Sequence, residues 1–472
     1  MRRVIAVLTL VAGLAVAPLA SASSPLAAYT LVVPRSVAPA GLEARAVLPA
    51  GARCPTLDAT VDGTLRHVPM VARRPASTTG AAFASLFVCR AALPAGATRA
   101  TVGAVSVPAA LPGRITRVAL LADTGCSVPP GKPAQDCASA AKWPLARVAA
   151  SIARSHPDLV MHIGDYFYRE GECSEAMAAR CGTSPGQLPG AAFDDSAYGW
   201  LADAILPMSP LFAAAPIVMT RGNHEACDRA GNGWYLFFDP WPDTAQRCAP
   251  DAAGSVPTAV SPTWVRDFPL GNGRSLHIAV VDSAYGNDPA VSSWLPHQEP
   301  LYAAAEGLSP ARPGRESWLI THRPIFGSME WLSAKTHQLY WTWISADQTA
   351  AALPHLAPFS LILGSHIHAA EANQLPGMPG QLVIGNSGTE LTAFTTPFEL
   401  PAYGPLRNED GTPMVTEFAL PGNATSTWNA SRFGWILAMP GAQAGQWRFS
   451  QRSPNGVEFA RCALAHRTIA CG

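Results

Sequence analysis

From residue 114 onward one pattern repeats. A short, almost wholly apolar run ends in a cluster of residues able to hold metals or move protons. Ile115–Ala122 runs into Asp123-Thr124-Gly125, and Leu159–Ile163 into Gly164-Asp165-Tyr166-Phe167-Tyr168. Pro216–Thr220 precedes Gly222-Asn223-His224-Glu225, Trp318–Ile320 precedes Thr321-His322, and Phe359–Leu363 precedes Gly364-Ser365-His366-Ile367-His368. Apolar runs bounded by turn residues read as strands buried on both faces. Further runs at 276–281 and 381–384, and a helix read over 140–154, predict a layered α/β domain. In such sheets ligands sit in the crevice beyond the strands' carboxyl ends, so five motifs of this kind are expected to converge.

The chemistry of the residues fits a metal centre. Asp123 and Asp165 offer carboxylates at rigid strand ends, and the two oxygens of Asp165 suit it to bridge two ions. Gly125 permits a tight turn behind Asp123. A tyrosine ordinarily titrates near 10, so Tyr168 as a phenolate ligand calls for a strong Lewis acid such as iron(III). Asn223 offers a neutral amide oxygen, and His322, His366 and His368 offer imidazole nitrogens that zinc, iron or manganese accept. His224 is placed to protonate a leaving oxygen, with Glu225 expected to hold it. Taken singly, a strand-end Asp is a cap, an Asn-His-Glu a loop and a His in an apolar stretch a packed side chain. Their order, each behind a strand, carries the joint reading. Asp282, also at a strand end, is read as structural, as are His67, His156, His277, His337, His355 and His466.

On these residues the chain resembles the calcineurin-like metallophosphoesterases, and within them the purple acid phosphatase type. Asp123-Thr-Gly125 replaces the Asp-x-His of the wider group, and Tyr168 supplies the tyrosine of Gly-Asp-x-x-Tyr. Over roughly residues 115–390 the resemblance implies a four-layer α/β/β/α sandwich. It implies iron(III) on Asp123, Asp165, Tyr168 and His368, and divalent iron, zinc or manganese on Asp165, Asn223, His322 and His366. It further implies hydrolysis of small-molecule or nucleotide phosphate esters by a metal-bound hydroxide, with His224 beside the substrate. Two positions depart from the pattern: Ser365 stands where a glycine is usual, and His322-Arg323-Pro324 lacks a second adjacent His. Two alternatives remain open: a binding protein of this fold without turnover, or a phosphodiesterase or nucleotidase using two divalent ions with Tyr168 merely packed.

Residues 23–113 alternate apolar runs with Pro, Gly and Ala turns. Tyr29–Val33, Phe87-Val88 and Thr101–Val107 read as strands of a small N-terminal β-sandwich, leaving 114–472 as the catalytic domain with C-terminal strands completing a sheet. The insertions 169–200, 226–262 and 326–345 read as walls or lids, with Trp331, Trp341 and Trp343 read as packing the last of them. The 33 lysines and arginines balance 33 aspartates and glutamates, which argues against nucleic-acid or membrane binding through bulk charge. Arg2-Arg3, the apolar run Val4–Ala17 and Ala20-Ser21-Ala22 read as a signal peptide over 1–22, giving an exported chain, periplasmic or secreted. That run falls short of the roughly 20 residues a membrane span needs. Ten cysteines fall into sequence neighbours 54–89, 126–137, 173–181, 227–248 and 462–471. Local pairing costs least loop-closure entropy, so five disulfides are expected in an oxidising compartment.

Overall fold

The structure is a computed structural model describing residues 24–472 except 74–80, 174–177, 182–192, 243–247, 249–258, 289–291, 333–338, 344 and 393–424. The signal peptide read over 1–22 and His337 lie outside the described residues. Two large sheets carry the fold. Parallel strands Val118–Leu121, Leu159–His162 and Ile217–Met219 lie side by side in the first. Arg274–Val281, Arg315–Thr321, Leu361–Gly364 and Gly380–Ile384 run parallel in the second. Among the described residues the first sheet has 11 strands and the second seven.

Alternation along the strands explains the layering. Val118, Leu120, Leu159 and Met161 share one core with Ile278, Val280, Trp318, Ile320, Leu361 and Leu363 of the second sheet. Side chains of opposite parity point outward. Ala119, Leu121 and Val160 pack on helices Leu145–Arg154 and Ser209–Ala214. Ala279, Leu319 and Ile362 pack with residues of helices Leu295–Leu308 and Ala346–Ala352. The result is the α/β/β/α sandwich, with nearly every strand position apolar because both faces are covered.

Among the described residues, the N-terminal region from 27 to 107 is all-β apart from one turn of 3-10 helix at Ala81–Phe83. The run expected as one strand, Thr101–Val107, is two: Ala97–Val102 and Val105–Val107 pair as a hairpin through Gly103, whose φ is +57°. These strands join Thr56–Val61 and Thr64–Pro69 in a four-stranded sheet. Other N-terminal strands take a different place. Ala27–Val32 pairs in parallel with Ile217–Met219, and Leu42–Pro49, Leu86–Ala92 and Val71–Arg73 follow it outward in the first sheet. Ala28 and Val32 accordingly belong to the core between the sheets. Arg45 donates to the carbonyls of Phe237 and Asp239, and Arg73 to those of Tyr235 and Trp241. Guanidinium groups there satisfy carbonyls at the end of helix Gly231–Phe237 that have no partner within the helix.

All five expected cysteine pairs are joined: Cys54–Cys89, Cys126–Cys137, Cys173–Cys181, Cys227–Cys248 and Cys462–Cys471. Among the described residues no helix is long and apolar enough to cross a membrane.

Candidate metal centre

Because the two sets of parallel strands face each other, their carboxyl ends deliver the five motifs to one place. The backbone bends sharply there. Asp123, Asp165 and His366 have φ of +50°, +57° and +72°, a region that non-glycine residues seldom occupy and that collects at functional sites. Crowding requires Gly222: a Cβ there would lie 2.0 Å from Asp165 Oδ1.

The motif residues form two groups that share Asp165. In the first, the Tyr168 hydroxyl oxygen lies 2.8 Å from Asp123 Oδ1, 2.8 Å from Asp165 Oδ2 and 3.0 Å from His368 Nε2. In the second, His322 Nε2 is 3.1 Å from Asp165 Oδ2 and 2.9 Å from Asn223 Oδ1, and His366 Nδ1 is 2.8 Å from the same amide oxygen. Asp123, Asp165, Tyr168, His322, Asn223, His366 and His368 are all brought together.

These distances suit cations. Ligand bonds of about 2.1 Å place neighbouring donor atoms about 3–3.4 Å apart. The proton count points the same way. His368 Nδ1 is 2.9 Å from the Glu390 carbonyl, and His322 Nδ1 is 2.8 Å from that of Ile163. His368 thus carries its proton outward and turns a bare Nε2 inward, whereas at His322 burial is outweighed by the Asp165 charge, which raises its pKa to about 9. Tyr168 then has one proton for three acceptors. Burial first, and then the charges of Asp123 and Asp165, push the Tyr168 phenol above its ordinary range. Burial likewise raises Asp123. A cation in each group would replace those protons and satisfy the surplus lone pairs. The Asn223 amide fits too. Rotated by 180°, its nitrogen would donate to both imidazoles, but its oxygen would no longer face them. The oxygen-inward orientation is the one a cation needs.

A profile of the calcineurin-like phosphoesterases matches residues 116–370, more than half of the chain. The chain belongs to the calcineurin-like phosphoesterases. It is therefore a phosphoric ester hydrolase by family, and the fold is found again in a solved structure. The structure of PhoD superposes with a TM-score of 0.53 at 14% identity, covering 95% of this chain and 92% of that one. A purple acid phosphatase from yellow lupin (Lupinus luteus) seeds gives 0.48 at 12% identity, covering 92% and 73%. No curated protein matches the chain in sequence.

The phosphoesterase motifs are held by residues that no local pattern announces. Glu225 does not hold His224, as the sequence reading expected. The 3-10 turn Asn223–Glu225 sends its carboxylate back under the metal loop. There it accepts from the backbone N–H groups of Asp165, Tyr166, Phe167 and Gly222 at 2.8–3.1 Å. His224 instead lies 3.0 Å from Glu170 and against Arg229, its ring centroid 3.7 Å from that of Tyr168 with the planes tilted by 33°. Burial, the largest influence, lowers the His224 pKa despite the nearby Asp165 charge. Burial opposes ionisation of Glu170, yet hydrogen bonds from His224 and Arg229 hold its carboxyl at about 2. Asp203 accepts from the N–H groups of Cys126 and Tyr168, tying two of the motif loops together. Asp288 faces the outer nitrogen of His366 at 3.3 Å and pairs with Arg323. A metal-ligating imidazole commonly has such a carboxylate behind it.

Two departures from the family pattern now have positions. The Ser365 hydroxyl is buried 2.8 Å from His322 Nδ1 and donates to the Ile163 carbonyl. Arg323 reaches Asp288 and lies 3.3 Å from His366 Nε2. Asp282 accepts from Ser261 N, Ala284 N and Arg221, a structural latch away from the centre.

Proposed function

We propose that this chain hydrolyses phosphate esters at a two-metal centre of the purple acid phosphatase type. The observation that carries the reading is the pair of donor groups sharing Asp165, one of them built around a tyrosine hydroxyl. Asp123, Asp165, Tyr168 and His368 would hold one ion, and Asp165, Asn223, His322 and His366 the other. Tyr168 favours iron(III) in the first position. The second set suits divalent iron, zinc or manganese. When bound, two such ions supply Lewis acidity and an activated water at neutral pH.

The chain's own residues do the rest. Asp165 would serve both ions through Oδ2, which both donor groups meet, while its Oδ1 accepts from the His224 backbone N–H. Ser365, the Ile163 carbonyl and Asp288 fix the imidazole rings so that the correct nitrogen faces inward. As the P–O bond to the alcohol breaks, His224, oriented by Glu170, would protonate the departing oxygen or stabilise its charge. Five disulfides and the leader-like N-terminus support export, to the periplasm or beyond the cell.

Purified, metal-replete protein is expected to hydrolyse p-nitrophenyl phosphate. His322→Ala and His366→Ala should abolish the activity while far-UV circular dichroism stays unchanged. Absence of hydrolysis on monoesters, diesters and nucleotides alike would instead leave a binding protein on a phosphoesterase fold.

A further inference from the structure

We infer that Arg229 is the substrate-recognition residue of this centre and that it selects phosphate monoesters, an inference resting on the hydrolase reading above. Arg229 belongs to no motif and stands five residues beyond His224. Its guanidinium presents one edge, Nε and Nη2, to both oxygens of Glu170, the Nη2 contact being 2.9 Å. Nη2 also touches the ring nitrogens of His224 at 2.6 and 2.9 Å. A planar guanidinium held along one edge has a fixed direction for its remaining nitrogen.

That remaining nitrogen, Nη1, points at the Asn223 amide. Were the amide rotated, its oxygen would accept from Nη1 at 2.9 Å. In the orientation that gives oxygen to a cation, the NH2 group occupies that place. Two donors then face each other with no acceptor between them. An anionic oxygen entering there receives from both, in charge-assisted hydrogen bonds. The position lies beside the second group of donors and next to His224, where a substrate phosphate has to sit. Arg229 is partly open to solvent, with its side chain 30% exposed, so an incoming anion can reach it. It also supplies a contact that His322-Arg323, lacking a second adjacent His, leaves wanting. Arg323 is engaged on the far side by Asp288 and His366.

The substrate class follows from charge. A monoester dianion has three terminal oxygens; two can face the ions and the third can accept from Arg229 and Asn223. In a diester one of those oxygens is esterified and the remaining charge is single. Glu170 then acts as a positioning residue, aiming Nη1.

The test compares wild type with Arg229→Met, Arg229→Lys and Glu170→Gln, each loaded with metal. Losing a hydrogen bond to a charged group should lower kcat/KM on p-nitrophenyl phosphate roughly 10- to 100-fold. Activity on bis(p-nitrophenyl) phosphate should change far less. Inorganic phosphate, titrated calorimetrically, should bind Arg229→Met more weakly by a similar factor, with metal content per chain unchanged. Arg229→Lys should fall between, and Glu170→Gln, which releases His224 as well as Arg229, should lower kcat on both esters and raise KM for the monoester in addition. Equal losses on monoester and diester, or unchanged phosphate affinity, overturns the assignment. So does a wild type that cleaves only the diester, although the hydrolase reading then survives. A metal-loaded wild type that cleaves neither ester defeats the hydrolase reading itself. Should Arg229→Met not fold, Arg229→Lys decides on the same ratio.

Discussion

Tyr168 shows what a single residue contributes. Its oxygen sits among three acceptors, whereas Tyr166, two residues earlier, donates to the Thr220 carbonyl at 2.9 Å and stacks on His162, well away from Asp123 and His368. If Tyr168 binds iron(III) as a phenolate, the protein is coloured by a charge-transfer band. Tyr168→Phe should bleach that band and Tyr166→Phe should leave it. A colourless wild type fully active with zinc or manganese would remove iron but not the hydrolase. Glu225 makes a second prediction at this scale. Each of its oxygens accepts two backbone N–H groups, so Glu225→Gln leaves two buried donors facing an amide nitrogen. At about 1–3 kcal/mol each, the loss is about 2–6 kcal/mol, read as a shifted denaturation midpoint with an unchanged slope. The convergence of the candidate ligands was legible in the sequence because each lies just beyond a strand, where chain position nearly determines spatial position. Glu170, Arg229, Asp203 and Asp288 were not, because they act from loops and a helical turn whose paths depend on tertiary packing. The mistaken pairing of Glu225 with His224 has the same origin: adjacent residues in a tight turn point apart.

Among elements, the buried strands of the two sheets were readable because covering both faces forces apolar runs. Residues 27–107 could be read as all-β, but not where their strands attach. An edge strand's partner is set by backbone hydrogen bonding, which sequence periodicity does not encode. Ala27–Val32 completes the edge left by Ile217–Met219, and strand Leu42–Pro49 brings Glu43 inside. Glu43 bonds Arg45 at 2.9 Å and Arg90 at 3.1 Å. Burial would raise its pKa, but the arginines outweigh burial and lower it below the usual carboxylate value. A lowered folded-state pKa means stability that is present above the ordinary value, near 4.5, and is lost as pH falls through the folded value. Glu43→Gln leaves the buried Arg45 charge without its partner, a loss of about 3–5 kcal/mol for such pairs. The melting temperature of Glu43→Gln should therefore lie well below wild type at pH 7. The gap should close as pH drops below the carboxylate range. A gap independent of pH would mean that the contribution of Glu43 is packing rather than charge.

At the scale of the whole molecule, the disulfides divide the work with the core. Two of the five, Cys54–Cys89 and Cys462–Cys471, staple strands. The other three lie directly behind site motifs: Cys126 follows Asp123-Thr-Gly125, Cys173 follows Tyr168 and Glu170, and Cys227 follows Asn223-His224-Glu225. Each closes a short loop, the kind of constraint worth about 2–4 kcal/mol through the unfolded chain. The sheets behind the candidate ligands are held by the core between them and the helices outside, and the three disulfides add to the outer core of the first sheet. Stepwise reduction should accordingly loosen the site before it melts the fold. Non-reducing peptide mapping should first show the five neighbour pairs. Raising reductant on the metal-loaded protein should then release metal to a chromophoric chelator while far-UV circular dichroism still reports native strands. The coupling is physical: ligands on loops lose their fixed geometry once the loops are freed, and affinity that depends on converging donors falls with it. Simultaneous loss of metal and secondary structure would show instead that loops and sheets unfold as one cooperative unit.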